Sequence, residues 1–136
     1  MKNKVVIVTG ASSGIGRATA LYFAKQGSNV VLAARSVNKL KDVESEIEAF
    51  GGKSLVVECD VSKAKDCENL IQKTIENFQK IDVLINNAGI SMRAIFNETD
   101  LQVIRDVMDN NFFGTVYCTK FALPHILKNN GSVVGV

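Results

Sequence analysis

Tryptophan is absent from this sequence, and proline and histidine occur once each, at Pro124 and His125. A single imidazole with no Ser or Cys nucleophile motif beside it excludes the Ser-His-Asp arrangement of hydrolases, so His125 is read as a packing or surface residue. Cys59, Cys67 and Cys118 are an odd set with no Cys-x-x-Cys pair. That pattern fits neither a disulfide framework nor a zinc module, and a reduced, cytoplasmic chain is expected. No apolar run approaches the ~20 residues that cross a bilayer. The start, MKNKVVIVTG, lacks the apolar stretch and cleavage site of a signal peptide, so no membrane partner is expected. Sixteen basic residues against fourteen acidic ones leave a net charge of +2, too balanced to expect nucleic acid. A small-molecule partner is what these absences leave.

What is present is a core-forming pattern. The 136 residues are 46% hydrophobic, enough for one domain, 1–136, that folds without disulfides or metals. Five runs rich in Val, Ile and Leu, at 4–9, 29–34, 54–58, 81–86 and 132–136, are apolar almost throughout. Continuous rather than alternating apolarity predicts strands covered on both faces, as in a parallel sheet. Helical patterns lie between them. Residues 36–50 carry a Ser36 cap and a stripe of Leu40, Val43, Ile47 and Phe50, ending at Gly51-Gly52. Residues 62–78 carry a Ser62 cap with Cys67, Leu70, Ile71, Ile75 and Phe78 inward. The helix after the first strand is expected to turn Ala18, Leu21 and Tyr22 inward. A longer helix, from about Thr99 to Lys128, should be broken or kinked at Gly114 and Pro124. Its inward stripe of Leu101, Ile104, Val107 and Met108 runs on to Asn111. This order predicts an α/β, doubly wound parallel sheet of the Rossmann type, reaching its fifth strand at the end of the sequence.

Behind the first run stands TGASSGIG, with Gly10, Gly14 and Gly16 in eight positions. In a doubly wound sheet this turn is where a dinucleotide pyrophosphate meets the amides at a helix N-terminus. Gly10 then permits the tight turn, Gly14 the approach of a ligand, and Gly16 close helix–strand contact. The alternative is a purely structural turn, since the spacing Gly-x-x-x-Gly-x-Gly differs from the commoner G-x-G-x-x-G.

This stretch, with CDV at 59–61, NNAG at 86–89 and NNFFG at 110–114, resembles the short-chain dehydrogenase/reductase family of NAD(P)-dependent oxidoreductases. All four stand in the family's order across the chain. The resemblance implies coenzyme contacts at Gly10, Ser12, Ser13, Gly14, Ile15, Gly16, Asp60, Val61, Asn87, Ala88 and Gly89. For Asp60 it implies an acceptor for the adenine amine; read from position alone, Asp60 could equally cap the following helix. Read alone, the Asn/Gly run could be an ordinary turn.

NAD-selective sites place an acid about twenty residues after the glycine turn. No Asp or Glu occurs between Ala11 and Lys41, and the second strand runs into Arg35. A guanidinium there suits a 2′-phosphate, with Arg17 or Lys39 as helpers, so NADP is favoured over NAD. The alternative for Arg35 is a solvated charge opening a helix.

A polar Asn111 on an inward stripe requires a specific hydrogen-bond partner, because burial without one costs about 1 to 3 kcal/mol. The resemblance makes Asn111 a catalytic group that bends the helix and holds a water in the proton relay; Asn110 is the neighbouring alternative. The family's serine and Tyr-x-x-x-Lys pair, the acid/base groups for hydride exchange with a carbonyl or secondary alcohol, are expected beyond residue 136. Tyr22 with Lys25 and Tyr117 with Lys120 have a spacing of three and are read as core or surface residues. The expected function is an NADP-dependent oxidoreductase, and the resemblance implies a homo-oligomer paired through residues 100–128. The alternative is a non-catalytic nucleotide-binding or dimerising fragment.

Overall fold

A computed structural model describes residues 1–136. Its strands are β1 (Val5–Thr9), β2 (Asn29–Ala34), β3 (Lys53–Glu58), β4 (Val83–Asn86) and β5 (Ser132–Gly135). Its helices are α1 (Gly14–Lys25), α2 (Val37–Ala49), α3 (Ala64–Phe78), α4 (Leu101–Met108) and α5 (Gly114–Lys128). The strands form one parallel sheet in the order β3-β2-β1-β4-β5, the doubly wound topology expected.

The reason β1 is apolar throughout is visible in its two faces. Val5 and Ile7 enter a core shared with α3 and α5, whereas Val6 and Val8 enter a second core shared with α1 and α2. All four are completely buried, each worth roughly 1.5 to 3 kcal/mol of transfer free energy. At the amino end of the sheet, Asp82 ties the centre together. Its carboxylate accepts from the Val5 amide at 2.8 Å and pairs with Lys4 and Lys80 at 3.0 Å each. Its main-chain oxygen receives the Ser132 amide of β5.

Several helix expectations need correction. The inward face of α1 is Gly16, Ala20 and Ala24, while Tyr22 is 60% exposed and Ala18 also faces water. Small residues bring the helix close to the sheet, so the larger side chains are displaced to its flank; Leu21 is half-buried there. In α2, Leu40, Val43 and Ile47 are buried as expected, but Phe50 sits at the helix end, exposed, beneath the Lys25 ammonium. Ser36 precedes α2 without a side-chain capping bond, and α3 starts behind Lys63 rather than at a Ser62 cap.

The long helix is divided in a different manner from that expected. After α4, residues Asp109–Phe113 form one wider, π-helical turn, and α5 then runs through Pro124 to Lys128. Gly114 stands where the π-helical turn ends and α5 begins. It is buried, and a Cβ there would lie 2.7 Å from the Val61 side chain, so it lets α5 rest on the loop after β3. No residue of α4 is buried, and Leu101 and Met108 are exposed. The apolar stripe of α4 is therefore real in sequence but does not face this chain's core.

Candidate functional site

The chain's path from β1 moves outward to β2 and β3, then crosses to β4 on the other side. Such a reversal leaves a crevice beyond the carboxyl ends of the strands. A cleft of about 460 Å³ lies there, walled by the turn after β1, the starts of the segments after β2 and β3, and the Asn87–Ile90 stretch after β4.

The glycines of the first turn play three distinct parts. Gly10 has φ +66°, and a Cβ on it would stand 2.9 Å from both Ala88 Cα and Asn87 Nδ2. Gly14 has φ +54°, and a Cβ on it would meet nothing within 4 Å, so it faces open space. A Cβ on Gly16 would collide with the Gly10 carbonyl and the Asn87 amide, so α1 touches the turn only because that atom is missing. The helical bonding of α1 begins with the Arg17 amide on Ser13 O at 3.1 Å. The preceding amides of its first turn project from the helix as free donors, beside Ser12, Ser13 and Ile15 on the cleft wall.

The β4 side is fastened to this turn by Thr9, a residue the sequence reading passed over. Its hydroxyl donates to Ile85 O at 3.3 Å and accepts from the Asn87 and Ala88 amides at 3.1 and 3.0 Å. Asn87 Nδ2 returns to Thr9 O at 3.0 Å and Gly10 O at 3.3 Å. The signal was a lone hydroxyl ending a wholly apolar run. Asn87 thus holds the glycine turn, and Asn87, Ala88 and Gly89 all border the cleft.

Arg35, Ser36 and Lys39 line the wall beyond β2, and Cys59, Asp60 and Val61 the wall beyond β3. Arg17, considered a helper of Arg35, is bound instead to Glu46 of α2. Asp60 is no helix cap. Its Oδ1 accepts the Ser62 amide at 3.1 Å and the Ser62 hydroxyl at 2.7 Å, closing an Asx turn. Burial pushes its carboxyl up, but Ser62, then Lys63 and Arg35, outweigh that and leave it below the usual range. Asp60 is an anion at neutral pH, able to accept from a ligand.

Asn111 stands in the π-helical turn and is exposed, which corrects the expected buried position. It nevertheless has the specific partner foreseen: its Oδ1 accepts from the Ile90 amide and its Nδ2 donates to Ile90 O, both at 2.8 Å. The stripe it continues is itself unburied, with Leu101 and Met108 exposed, so a place on that stripe does not bury Asn111. Asn110, rather than Asn111, lies on the cleft wall, its amide donating to Asp106 O. Ile90 joins the cleft through its backbone partnership with Asn111, and no side-chain pattern marks that.

Residues 4–136 match the short chain dehydrogenase family. This chain belongs to that family. Among similar members is an 11-beta-hydroxysteroid dehydrogenase of Pinus massoniana, 43% identical over 98% of this chain and 38% of that protein. An 11-beta-hydroxysteroid dehydrogenase-like protein 3 of Arabidopsis thaliana is 42% identical, over 98% of this chain and 44% of its own length. The chain thus spans less than half of the curated relatives it matches. Among solved structures, an alcohol dehydrogenase of the archaeon Thermococcus sibiricus, complexed with 5-hydroxy-NADP, superposes with a TM-score of 0.95 at 30% identity. That match covers 98% of this chain and 57% of the other. A short-chain type dehydrogenase/reductase of Mycobacterium marinum gives 0.94 at 29% identity, over 98% and 55% of the two chains.

Of the twelve expected coenzyme residues, ten line this one cleft: Gly10, Ser12, Ser13, Ile15, Arg35, Asp60, Val61, Asn87, Ala88 and Gly89. Gly14 and Gly16 belong to the same turn, Gly14 facing open space and Gly16 packed against Gly10 and Asn87. The lining suits a dinucleotide: free helix amides to donate to a diphosphate and a carboxylate to accept from an amine.

Proposed function

We propose that this chain forms the coenzyme-holding part of an NADP-dependent oxidoreductase that exchanges hydride with a carbonyl or secondary alcohol. The observation that carries the reading is the wall beyond β2, where Arg35 and Lys39 line the cleft and no acid occupies the segment from Ala11 to Lys41. Bound there, the nicotinamide coenzyme supplies or removes a hydride at carbon.

The chain's own residues act by holding and orienting. The first turn of α1, with Ser12, Ser13 and Ile15, receives the diphosphate on backbone amides; Gly14 keeps that approach free of a side chain. Arg35 pairs with the 2′-phosphate, and Lys39 adds charge on the same wall. Asp60, already ionised, accepts from the adenine amine, with Val61 beside it, and Asn87, Ala88 and Gly89 form the ribose-side wall. Asn111 fixes Ile90 and positions the relay side of the cleft. No Tyr-x-x-x-Lys occurs among residues 1–136, so the proton-transferring groups of this proposal lie outside them.

Three buried, unpaired cysteines support a reducing, cytoplasmic setting. The exposed Leu101, Phe112, Val116 and Leu127 support pairing of two copies through α4 and α5, which light scattering reads as a doubled mass; a monomer at high concentration would remove that part. The coenzyme choice is tested by calorimetric titration of NADPH and NADH into the chain and into Arg35→Ala. Loss of the charged fork should weaken NADPH by roughly 1.5 to 3 kcal/mol and leave NADH nearly unchanged. Equal losses for both coenzymes, or none, would refute the role of Arg35.

A further inference from the structure

Asn110 lines the cleft and is half-buried there, yet it takes no part in the proposed coenzyme contacts. Its placement follows from its neighbours along the helix. Four residues on, Gly114 is pressed against the wall after β3: a Cβ there would lie 2.7 Å from the Val61 side chain and 3.2 Å from Val61 O. Even in a wide turn, residues four apart lie on nearly the same face, so Asn110 is about one turn nearer the cleft on the side that meets the Asp60–Val61 wall. The next residue, Asn111, is turned to the other wall. It is bound to the Ile90 backbone, and its Oδ1 is 3.1 Å from where a Cβ on Gly89 would lie. Asn110 therefore stands between the wall after β3 and the wall after β4.

Its carboxamide is fixed in orientation. Nδ2 donates to Asp106 O at 2.9 Å, a bond that only the nitrogen end can make, because a carbonyl accepts and does not donate. The end that remains is Oδ1, an acceptor to which no donor of the chain is bonded. A half-buried acceptor at the edge of a ligand cleft gains most from a ligand that brings a donor to it.

We propose that Asn110 selects the base of the coenzyme, its Oδ1 accepting one hydrogen of the adenine amine while Asp60 accepts the other. An exocyclic amine carries two hydrogens, and a single carboxylate oxygen takes one. The inference rests on the proposed function, in which Asp60 is the acceptor for adenine. A hypoxanthine base has a carbonyl oxygen in place of the amine, and so sets an oxygen against both acceptors. Turning the carboxamide over to offer Nδ2 to that oxygen would give up the bond to Asp106 O and bring Oδ1 against the same carbonyl. Asn110 therefore cannot serve the two bases equally, and its contribution to specificity is the difference between a bond made and an acceptor left facing an acceptor.

The test titrates NADP⁺ and nicotinamide hypoxanthine dinucleotide phosphate, its amine-free analogue, into the 136-residue chain and into Asn110→Leu by calorimetry. The unaltered chain should hold NADP⁺ about tenfold or more tightly than the analogue. Asn110→Leu, similar in size but without an acceptor, should weaken NADP⁺ about three- to tenfold and leave the analogue unchanged or tighter, so the preference narrows by that factor. The preference that persists belongs to Asp60. Asn110→Ala, readily accepted in a helix, should narrow the preference in the same way even where Leu disturbs the turn. Equal binding of the two coenzymes by the unaltered chain would overturn the role of Asn110. So would an equal loss for both coenzymes in the two variants, the mark of a bond to a ribose hydroxyl or of a disturbed turn. Should NADP⁺ bind and both variants keep the full preference, Asn110 is not a base contact while the coenzyme reading stands. Should the unaltered chain take up no NADP⁺, the coenzyme reading fails and the role of Asn110 fails with it.

Discussion

Asp82 illustrates how one side chain can hold a sheet and carry a pH dependence. Its side chain is nearly buried between Lys4 and Lys80 and also accepts the Val5 amide. Burial alone would raise its pKa, but the Val5 amide, then Lys80 and Lys4, outweigh burial and the net shift is downward. A carboxyl whose folded value lies below its unfolded value releases stability as pH falls. Its contribution is complete above the ordinary carboxylate range of about 4 and is lost as pH drops through the lower folded value. Asp82→Asn should cost about 1.5 to 3 kcal/mol at pH 7, and the difference from wild type should shrink toward pH 3. Urea denaturation across that range measures both, and a constant difference would contradict the ionic role. At this scale the sequence was partly legible. Arg35 and Asp60 were found because a charge follows an apolar strand, whereas Asp82 and Thr9 were not, since the partners they join across the sheet are 76 to 79 residues distant.

At the level of elements, strand identity was readable because parallel strands buried on both faces are apolar throughout. Helix faces were less so. The inward face of α1 is made of Gly16, Ala20 and Ala24, and a stripe of small residues gives a weaker apolar signal than the Leu21 and Tyr22 beside it. The two glycines of the turn separate shape from binding. Gly16→Ala places a methyl group against the Gly10 carbonyl and Asn87, so it should shift α1 and lower stability by about 1 to 3 kcal/mol. Gly14→Ala meets only open space but must keep φ +54°, a strain of roughly 1 to 2 kcal/mol. Its larger effect should be on coenzyme affinity. Thermal unfolding and coenzyme titration of both variants check the division, and a Gly14→Ala protein that binds as tightly as wild type would refute it. The π-helical turn at Asp109–Phe113 was invisible to periodicity, because a single wide turn changes the phase of the stripe without changing its composition.

For the molecule as a whole, the order of elements prescribed the outcome: once five apolar strands alternate with helices, right-handed crossovers and a reversal at β1 leave one cleft beyond the strand ends. The topology and most of that cleft's lining were therefore legible. The face of α4 was not, because an apolar stripe states that a helix seeks a partner and not which one. The central claim is that the cleft binds the coenzyme on the bare backbone between Gly10 and Gly16. Its most direct test is a titration of NADP⁺ followed through the amide resonances of the ¹⁵N-labelled chain. The account predicts saturable shifts largest for Ser12 to Gly16, Asp60 and Ala88, with α4 unaffected. Shifts confined to another surface, or none at concentrations where a folded spectrum persists, would contradict it.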